Sequence, residues 1–201
     1  MLNLIIAGLG GQGTILTSRL IGETAVAAGF DVRGSETIGM AQRGGSVISH
    51  LRIDPNVRHT GSEIFSPLIP PHNADIVIAF EAGEAIRVAD FLKPDGFMVV
   101  CDRIIQPVTG GETYQKKALL EWLHANIKRL HVADGEKLTS QCGERCLNTA
   151  LVGCAMQTNL FPFSLADIEA IIRKKIKPQF VEQNINALKT GHALFAGIQG
   201  V

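Results

Sequence analysis

Leu2 to Ala7 form a nearly continuous apolar run that ends at Gly8, the pattern of a parallel strand covered on both faces. Beyond the glycines, Ile15, Leu16, Leu20, Ile21 and Ala25 recur at helical spacing, and Gly29 supplies a stop. Asp31–Glu36 fits a second strand, so the opening predicts β-α-β. Residues 37–72 interrupt that rhythm. Thr37–Gly45 is a glycine-punctuated loop. Ser46–Ile53 then alternates, with Val47, Ser49, Leu51 and Ile53 on one face and Ile48, His50 and Arg52 on the other, which predicts a half-exposed strand. Asp54-Pro55-Asn56 makes a turn, and Glu63–Ser66 is expected to pair back antiparallel, giving a hairpin insertion over about 46–66.

The α/β alternation resumes after Pro67–Pro71 with a strand over Ala74–Phe80 and a helix from about Gly83 to Leu92. Lys93–Gly96 stops that helix, and a strand follows over Phe97–Cys101. A helix over 116–129 carries Trp122, and Leu130–Ala133 is a short strand. Helices near 144–158, 164–175 and 179–197 then make the last third helical. The pattern as a whole predicts an α/β fold: three-layer, with a Rossmann-like, mostly parallel sheet, an inserted β-hairpin and a helical C-terminal third. It forms a single domain over 1–201.

Composition narrows the function classes. A chain of 201 residues, 46% hydrophobic and 19% charged, buries enough surface to fold without disulfide staples. Nineteen basic residues balance nineteen acidic ones, which argues against nucleic-acid binding through a basic stripe. The opening apolar run is broken by glycines far short of the ~20 residues of a membrane span. It also lacks the flanks of a signal peptide, so a cytoplasmic protein without membrane attachment is expected. Cys101, Cys142, Cys146 and Cys154 are too sparse for a disulfide framework. Cys142 and Cys146 have three intervening residues and no second pair to complete a metal site, so no metal is expected and buried cysteines are the favoured reading.

Two segments carry candidate chemistry. Gly8-Leu9-Gly10-Gly11-Gln12-Gly13 matches G-x-G-x-x-G between a strand and a helix, the setting of a dinucleotide fingerprint. Glu36, 23 residues beyond Gly13, stands about where a ribose-binding acid belongs. The other reading is that these glycines serve only the turn and the packing. The second segment, Gly39 to Ser46, sets Met40, Gln42 and Arg43 ahead of Gly44 and Gly45. A guanidinium fork suits a carboxylate or phosphate, and the glycines let backbone close around it. Alternatively, Arg43 caps a sheet edge or pairs with a surface acid. The six histidines are scattered, and H-E-x-x-H, G-x-S-x-G and G-x-x-x-x-G-K-[ST] are all absent. The sequence holds no self-contained catalytic constellation.

GLGGQG opening a first helix, followed by SE-x-x-GMAQRGGSV at 35–47, resembles the gamma-type subunit of 2-oxoacid:ferredoxin oxidoreductases. The likeness is greatest to the small, IorB-type (beta) subunits of the indolepyruvate branch. Ser66–Ile69 before the Ala74 strand, Leu92–Gly96, Asn148–Gly153 and Val181-Glu-x-Asn184-x-x-Ala187-x-x-x-Gly191 are similar to later segments of that family. The resemblance runs from residue 3 to about 192.

It implies an accessory chain, inactive alone, in a complex that oxidatively decarboxylates an arylpyruvate to an acyl-CoA and reduces ferredoxin. Thiamine diphosphate and 4Fe-4S clusters are then held by a large partner subunit, and coenzyme A enters the assembled complex. The sequence itself carries neither cluster cysteines nor a G-D-G…N-N thiamine motif. Gly8, Gly10, Gly11, Gln12, Gly13, Glu36, Met40, Gln42, Arg43, Gly44 and Gly45 become candidates for binding an anion or for lying near the partner's active site. The isolated chain is expected to self-associate or to expose a sizeable apolar surface, with the 37–45 loop and its hairpin as first choice. The rival reading is a free-standing NAD(P)-binding oxidoreductase of Rossmann type, resting on Gly8, Gly10, Gly13 and Glu36.

Overall fold

The computed structural model describes residues 1–39, 44–56, 64–106 and 114–195. In chain order the elements are β1 Leu2–Leu9, α1 Thr14–Ala27, β2 Asp31–Ile38, β3 Ser46–Asp54, β4 Ala74–Ala79, α2 Ala82–Arg87 and β5 Leu92–Cys101. They continue with α3 Lys116–Asn126, β6 Arg129–Ala133, α4 Gly135–Cys142, α5 Leu147–Met156, α6 Leu165–Lys175 and α7 Pro178–Leu194. The six strands form one sheet in the order β2-β3-β1-β4-β5-β6. β1, β4, β5 and β6 run parallel, and β3 runs against both of its neighbours.

The continuous apolar runs of the central strands follow from burial on both faces. In β1, Leu4 and Ile6 join a core with Ile21 of α1, Ala150 of α5, Ile172 of α6 and Leu188 of α7. Ile5 and Ala7 point the other way, onto Ala82 and Ala85 of α2 and Leu123 of α3. β4 and β5 repeat the alternation, with Ile76, Ile78 and Val99 on the first side and Val77, Ala79, Met98 and Val100 on the second. The result is the three-layer α/β architecture that the sequence pattern predicts. Among the described residues, no helix is long and apolar enough to cross a membrane.

The hairpin differs in its arms. β3 pairs with β2, from Asp31 opposite Asp54 to Ile38 opposite Val47, whereas Ile64, Phe65 and Ser66 lie in no strand and Glu63 falls outside the described residues. β3 then pairs along its other edge with β1, from Leu2 opposite Ile53 to Leu9 opposite Ser46. It is therefore an interior strand rather than a half-exposed one, with Ser49 and His50 both buried. Period-two alternation reports only that the two faces differ in polarity. His50 belongs inside because its Nδ1 accepts a hydrogen bond from the Ile69 N–H at 3.1 Å.

The segment expected to be helical from Gly83 to Leu92 is a short α2 followed by a 3₁₀ turn over Ala89–Phe91. Helix α4, which the pattern does not predict, opens on Asp134, whose side chain accepts from the Lys137 N–H at 2.9 Å.

Candidate functional site

The glycine loop leaves β1 at the carboxyl edge of the parallel strands, where α/β sheets bind ligands. Gly13 is the N-cap of α1 with φ 89°, a left-handed conformation that glycine adopts without penalty. A Cβ there would also stand 2.7 Å from the Asn148 side-chain nitrogen. At Gly8 a Cβ would meet Gln12 Oε1 at 2.7 Å and the Phe80 ring at 3.0 Å. The loop is clasped by its own chain: the Leu9 N–H donates to Gln12 Oε1 at 2.7 Å, and the Gly10 N–H donates to the Gly45 carbonyl at 2.8 Å. Gly11, with φ 100°, has open space on the side where a Cβ would point. Gly11, Gln12 and Gly13 line a cleft of about 280 Å³ together with Phe80, Arg103 and Asn148.

Gly10 is where a pyrophosphate would approach the backbone in a dinucleotide site, and here its N–H is taken by the turn that follows β2. Of that turn, the structure describes Gly44, with φ 71°, and Gly45, whose carbonyl makes the clasp. Met40, Gln42 and Arg43 lie outside the described residues. Glu36 is exposed near the end of β2, opposite Ser49. Strand β3 stands between β2 and β1, which puts Glu36 two strand spacings, roughly 10 Å, from the glycine strand. The structure thus brings Gly8, Gly10, Gln12, Gly13 and Gly45 together and leaves Glu36 apart from them.

Beside the clasp lies a pair of buried acids that pattern reasoning passed over. Glu81 follows β4 and is fully buried; Glu84, one turn into α2, is nearly so. Glu81 caps α2 by accepting from the Glu84 N–H at 2.8 Å. Its other oxygen accepts from the Tyr114 hydroxyl at 2.6 Å and from the Ile105 N–H at 3.3 Å. Burial and the neighbouring Glu81 carboxylate push the Tyr114 phenol well above its ordinary range. Glu84 accepts from the Ser46 hydroxyl and, at 3.1 Å, from Arg87 Nε. Two carboxylates therefore tie the start of β3 and the segments around residues 105 and 114 to one short helix. The available signal was positional: Phe80-Glu81-x-x-Glu84 is acid placed at the carboxyl end of a buried strand, where a carboxylate needs several donors.

Farther along the same edge, Arg103 pairs with Glu144 through two nitrogens, one contact at 2.8 Å. The pair holds the guanidinium above, and the carboxylate below, its ordinary range. Asp102 accepts from the Gly135 N–H at 2.8 Å and from Lys116 at 2.5 Å. All four cysteines are free and buried; burial pushes Cys101 to about 11 and Cys154 to about 12. Groups held as thiols within an apolar core do not fit the thiolate set of an iron–sulfur cluster. Among the described residues, no three of His, Cys, Asp and Glu are grouped to hold a metal ion.

Comparison with known proteins agrees with this fold. The pyruvate ferredoxin/flavodoxin oxidoreductase family matches residues 3–194. Indolepyruvate oxidoreductase subunit IorB of Archaeoglobus fulgidus is 34% identical over 196 residues, covering 95% of this chain and 94% of that one. Pyruvate oxidoreductase subunit PORC of Thermotoga maritima superposes with a TM-score of 0.69 at 20% identity, covering 98% of this chain and 97% of that one. 2-Oxoglutarate:ferredoxin oxidoreductase of Magnetococcus marinus contains the same fold, with a TM-score of 0.69 at 18% identity. The match spans 96% of this chain but only 31% of that longer one. With nearly its whole length matched, from β1 to the end of α7, this chain belongs to the pyruvate ferredoxin/flavodoxin oxidoreductase family.

Proposed function

We propose that this chain is the gamma-type accessory subunit of an arylpyruvate:ferredoxin oxidoreductase, a soluble complex of the cytoplasm, and that it is inactive without a large partner subunit. The observation that carries the reading is the end-to-end match to a chain itself described as a subunit, IorB of an indolepyruvate oxidoreductase. The chemistry that such a partner brings is decarboxylation on thiamine diphosphate and electron transfer through 4Fe-4S clusters to ferredoxin, with the acyl group passing to coenzyme A.

What this chain contributes is shape and charge at the carboxyl edge of its sheet. The clasp between Gly10 and Gly45 sets Gly45 against the glycine loop, the Ser46–Glu84 bond ties Ser46 to α2, and the Gly39 N–H donates to the Ser46 carbonyl at 2.7 Å. In this reading Arg43 and the neighbouring N–H groups meet an anion of the reaction: the 2-oxoacid carboxylate, the thiamine diphosphate or coenzyme A. The rival, a free-standing NAD(P)-binding enzyme, is disfavoured by the intrusion of β3 beside β1 and by the engaged Gly10 N–H.

The test is reconstitution. The purified chain alone should not oxidise 2-oxoacids, whereas mixing with the thiamine- and cluster-bearing subunit should give arylpyruvate-dependent reduction of ferredoxin. Activity of the chain alone, or micromolar binding of NADH seen by fluorescence, would overturn the proposal. Arg43→Ala should leave folding and assembly intact and lower turnover by the loss of one charge-assisted contact, roughly 1.5–3 kcal/mol. Arg43→Lys should restore only part, because a point charge lacks the bidentate fork. Steady-state kinetics varying the 2-oxoacid and coenzyme A separately identify the anion. An Arg43→Ala complex with wild-type rates for both would make the residue structural.

A further inference from the structure

A cavity of about 530 Å³ lies away from the clasp in a groove between α1, the start of α5, the end of α6 and the start of α7. It continues into the glycine-loop cleft, since Leu16, Arg145 and Asn148 line both. Its rim carries four cations, Arg19, Arg145, Lys175 and Lys177, against one acid, Glu23. Glu23 is taken by Lys175 at 3.2 Å. Among the described residues, Arg19, Arg145 and Lys177 enter no ion pair and no side-chain hydrogen bond. A local excess of three positive charges in a chain whose total formal charge is zero is a directed field.

The walls between the cations are apolar: Leu20, Ile176 and Phe180 are half-buried, and Leu16 is 64% exposed. Along α1 alone, Leu16 to Glu23 spans about 10 Å. The cations come from α1, the 3₁₀ turn before α5 and the α6–α7 junction. Positive charge and exposed apolar surface therefore share one lining, drawn from several elements. An apolar groove edged with unpaired cations matches a chain segment bearing both apolar and acidic side chains.

We infer that this groove is a docking surface for an acidic, apolar-bearing segment of the partner subunit, resting on the accessory-subunit reading above. The segment lies along α1, places apolar side chains against Leu16, Leu20 and Phe180, and sets carboxylates against Arg19, Arg145 and Lys177. Continuity of the groove with the glycine-loop cleft brings the partner to the edge where Gly45 meets Gly10.

The experiment measures the affinity of the full-length chain for the full-length large subunit encoded with it, at low salt and at about 1 M salt, where the screening length is ~3 Å. Arg19→Glu combined with Lys177→Glu changes two exposed side chains, and urea unfolding of the isolated chain checks that the fold is kept. The expected result is at least a tenfold loss of affinity at low salt, with wild type and variant converging at high salt. Lys128→Glu, at the amino edge of the sheet, should have no such effect. Wild-type affinity in the double variant would overturn the inference while leaving the accessory role intact. Failure of the wild-type chain to associate at all would overturn both. Normal assembly of the double variant, together with loss of coenzyme A binding by the isolated chain, would make the groove a small-anion site and so overturn the inference.

Discussion

Tyr114 and Glu81 carry the densest chemistry at the residue scale. The phenol is the shortest of three donors to a carboxylate with no exposed surface, so removing it leaves buried charge short of a partner. Tyr114→Phe should cost about 1–3 kcal/mol of stability, measured by urea unfolding, because an unpaired acceptor loses its hydrogen bond without regaining water. Glu81→Gln keeps the shape but sets an amide NH2 against the Glu84 N–H that the second carboxylate oxygen now accepts from, so it should cost at least as much. Equal stability of Tyr114→Phe and wild type would mean that water replaces the hydroxyl at Glu81. Gln12 shows the same economy at a smaller site: one side-chain oxygen satisfies the Leu9 N–H and fills the space beside Gly8.

Helices α5 and α7 pack with almost nothing between them. A Cβ on Gly191 would lie 1.8 Å from the Ala150 carbonyl oxygen, and one on Gly153 would lie 2.0 Å from that of Leu188. These obstacles are backbone, which cannot rotate aside, so the helices must separate to admit a methyl group. Gly191→Ala should therefore destabilise by roughly 1–3 kcal/mol or more through overpacking, even though alanine is the better helix former by about 1 kcal/mol. Gly11→Ala is the contrast: nothing stands within 4 Å, and only its φ of 100° opposes a side chain, a local strain of about 1–2 kcal/mol. Denaturant midpoints for the two variants separate close packing from backbone strain. Gly191→Ala as stable as wild type would show that the helix pair can shift freely.

Across the whole molecule, two buried histidines make stability depend on pH. Burial holds both His50 and His131 below the ordinary value of 6.5. His50 accepts from Ile69 through Nδ1, a bond that only the unprotonated nitrogen can make, and His131 stacks on Phe195 at 4.3 Å. Because the unfolded chain takes up these protons more readily, their contribution is complete above about pH 7 and is lost as pH falls through 6.5 toward the lowered folded values. The slope is at most about 1.4 kcal/mol per pH unit for each histidine. Urea unfolding at pH 7.5 and 5.5 should show this fall, and His50→Asn should flatten it. An unchanged slope in that variant would remove His50 as a source.

Periodicity sufficed for β1, α1, β4, β6 and helices α5, α6 and α7, because each buries an apolar face that repeats at its own pitch. The glycine loop was legible too, since a strand, a tight turn and a helix start leave a local signature in residue type. Which strand sits beside β1 was not local: β3 enters the sheet through pairs that run from Leu2 with Ile53 to Leu9 with Ser46, far apart in sequence, a choice made by packing on both faces. The same pairing carries Glu36 away from the glycine strand and turns Gly45 back onto Gly10. Glu81 and Glu84 read as ordinary acids until tertiary structure supplies Tyr114, Ile105 and Ser46 as donors. Sequence by itself determined the α/β class, the order of most elements and the glycine turn, whose causes lie within a few residues of one another. The strand order, the clasp on the glycine loop, the buried acid pair and the cationic groove were decided only by tertiary structure, because each is made of groups that meet across the fold.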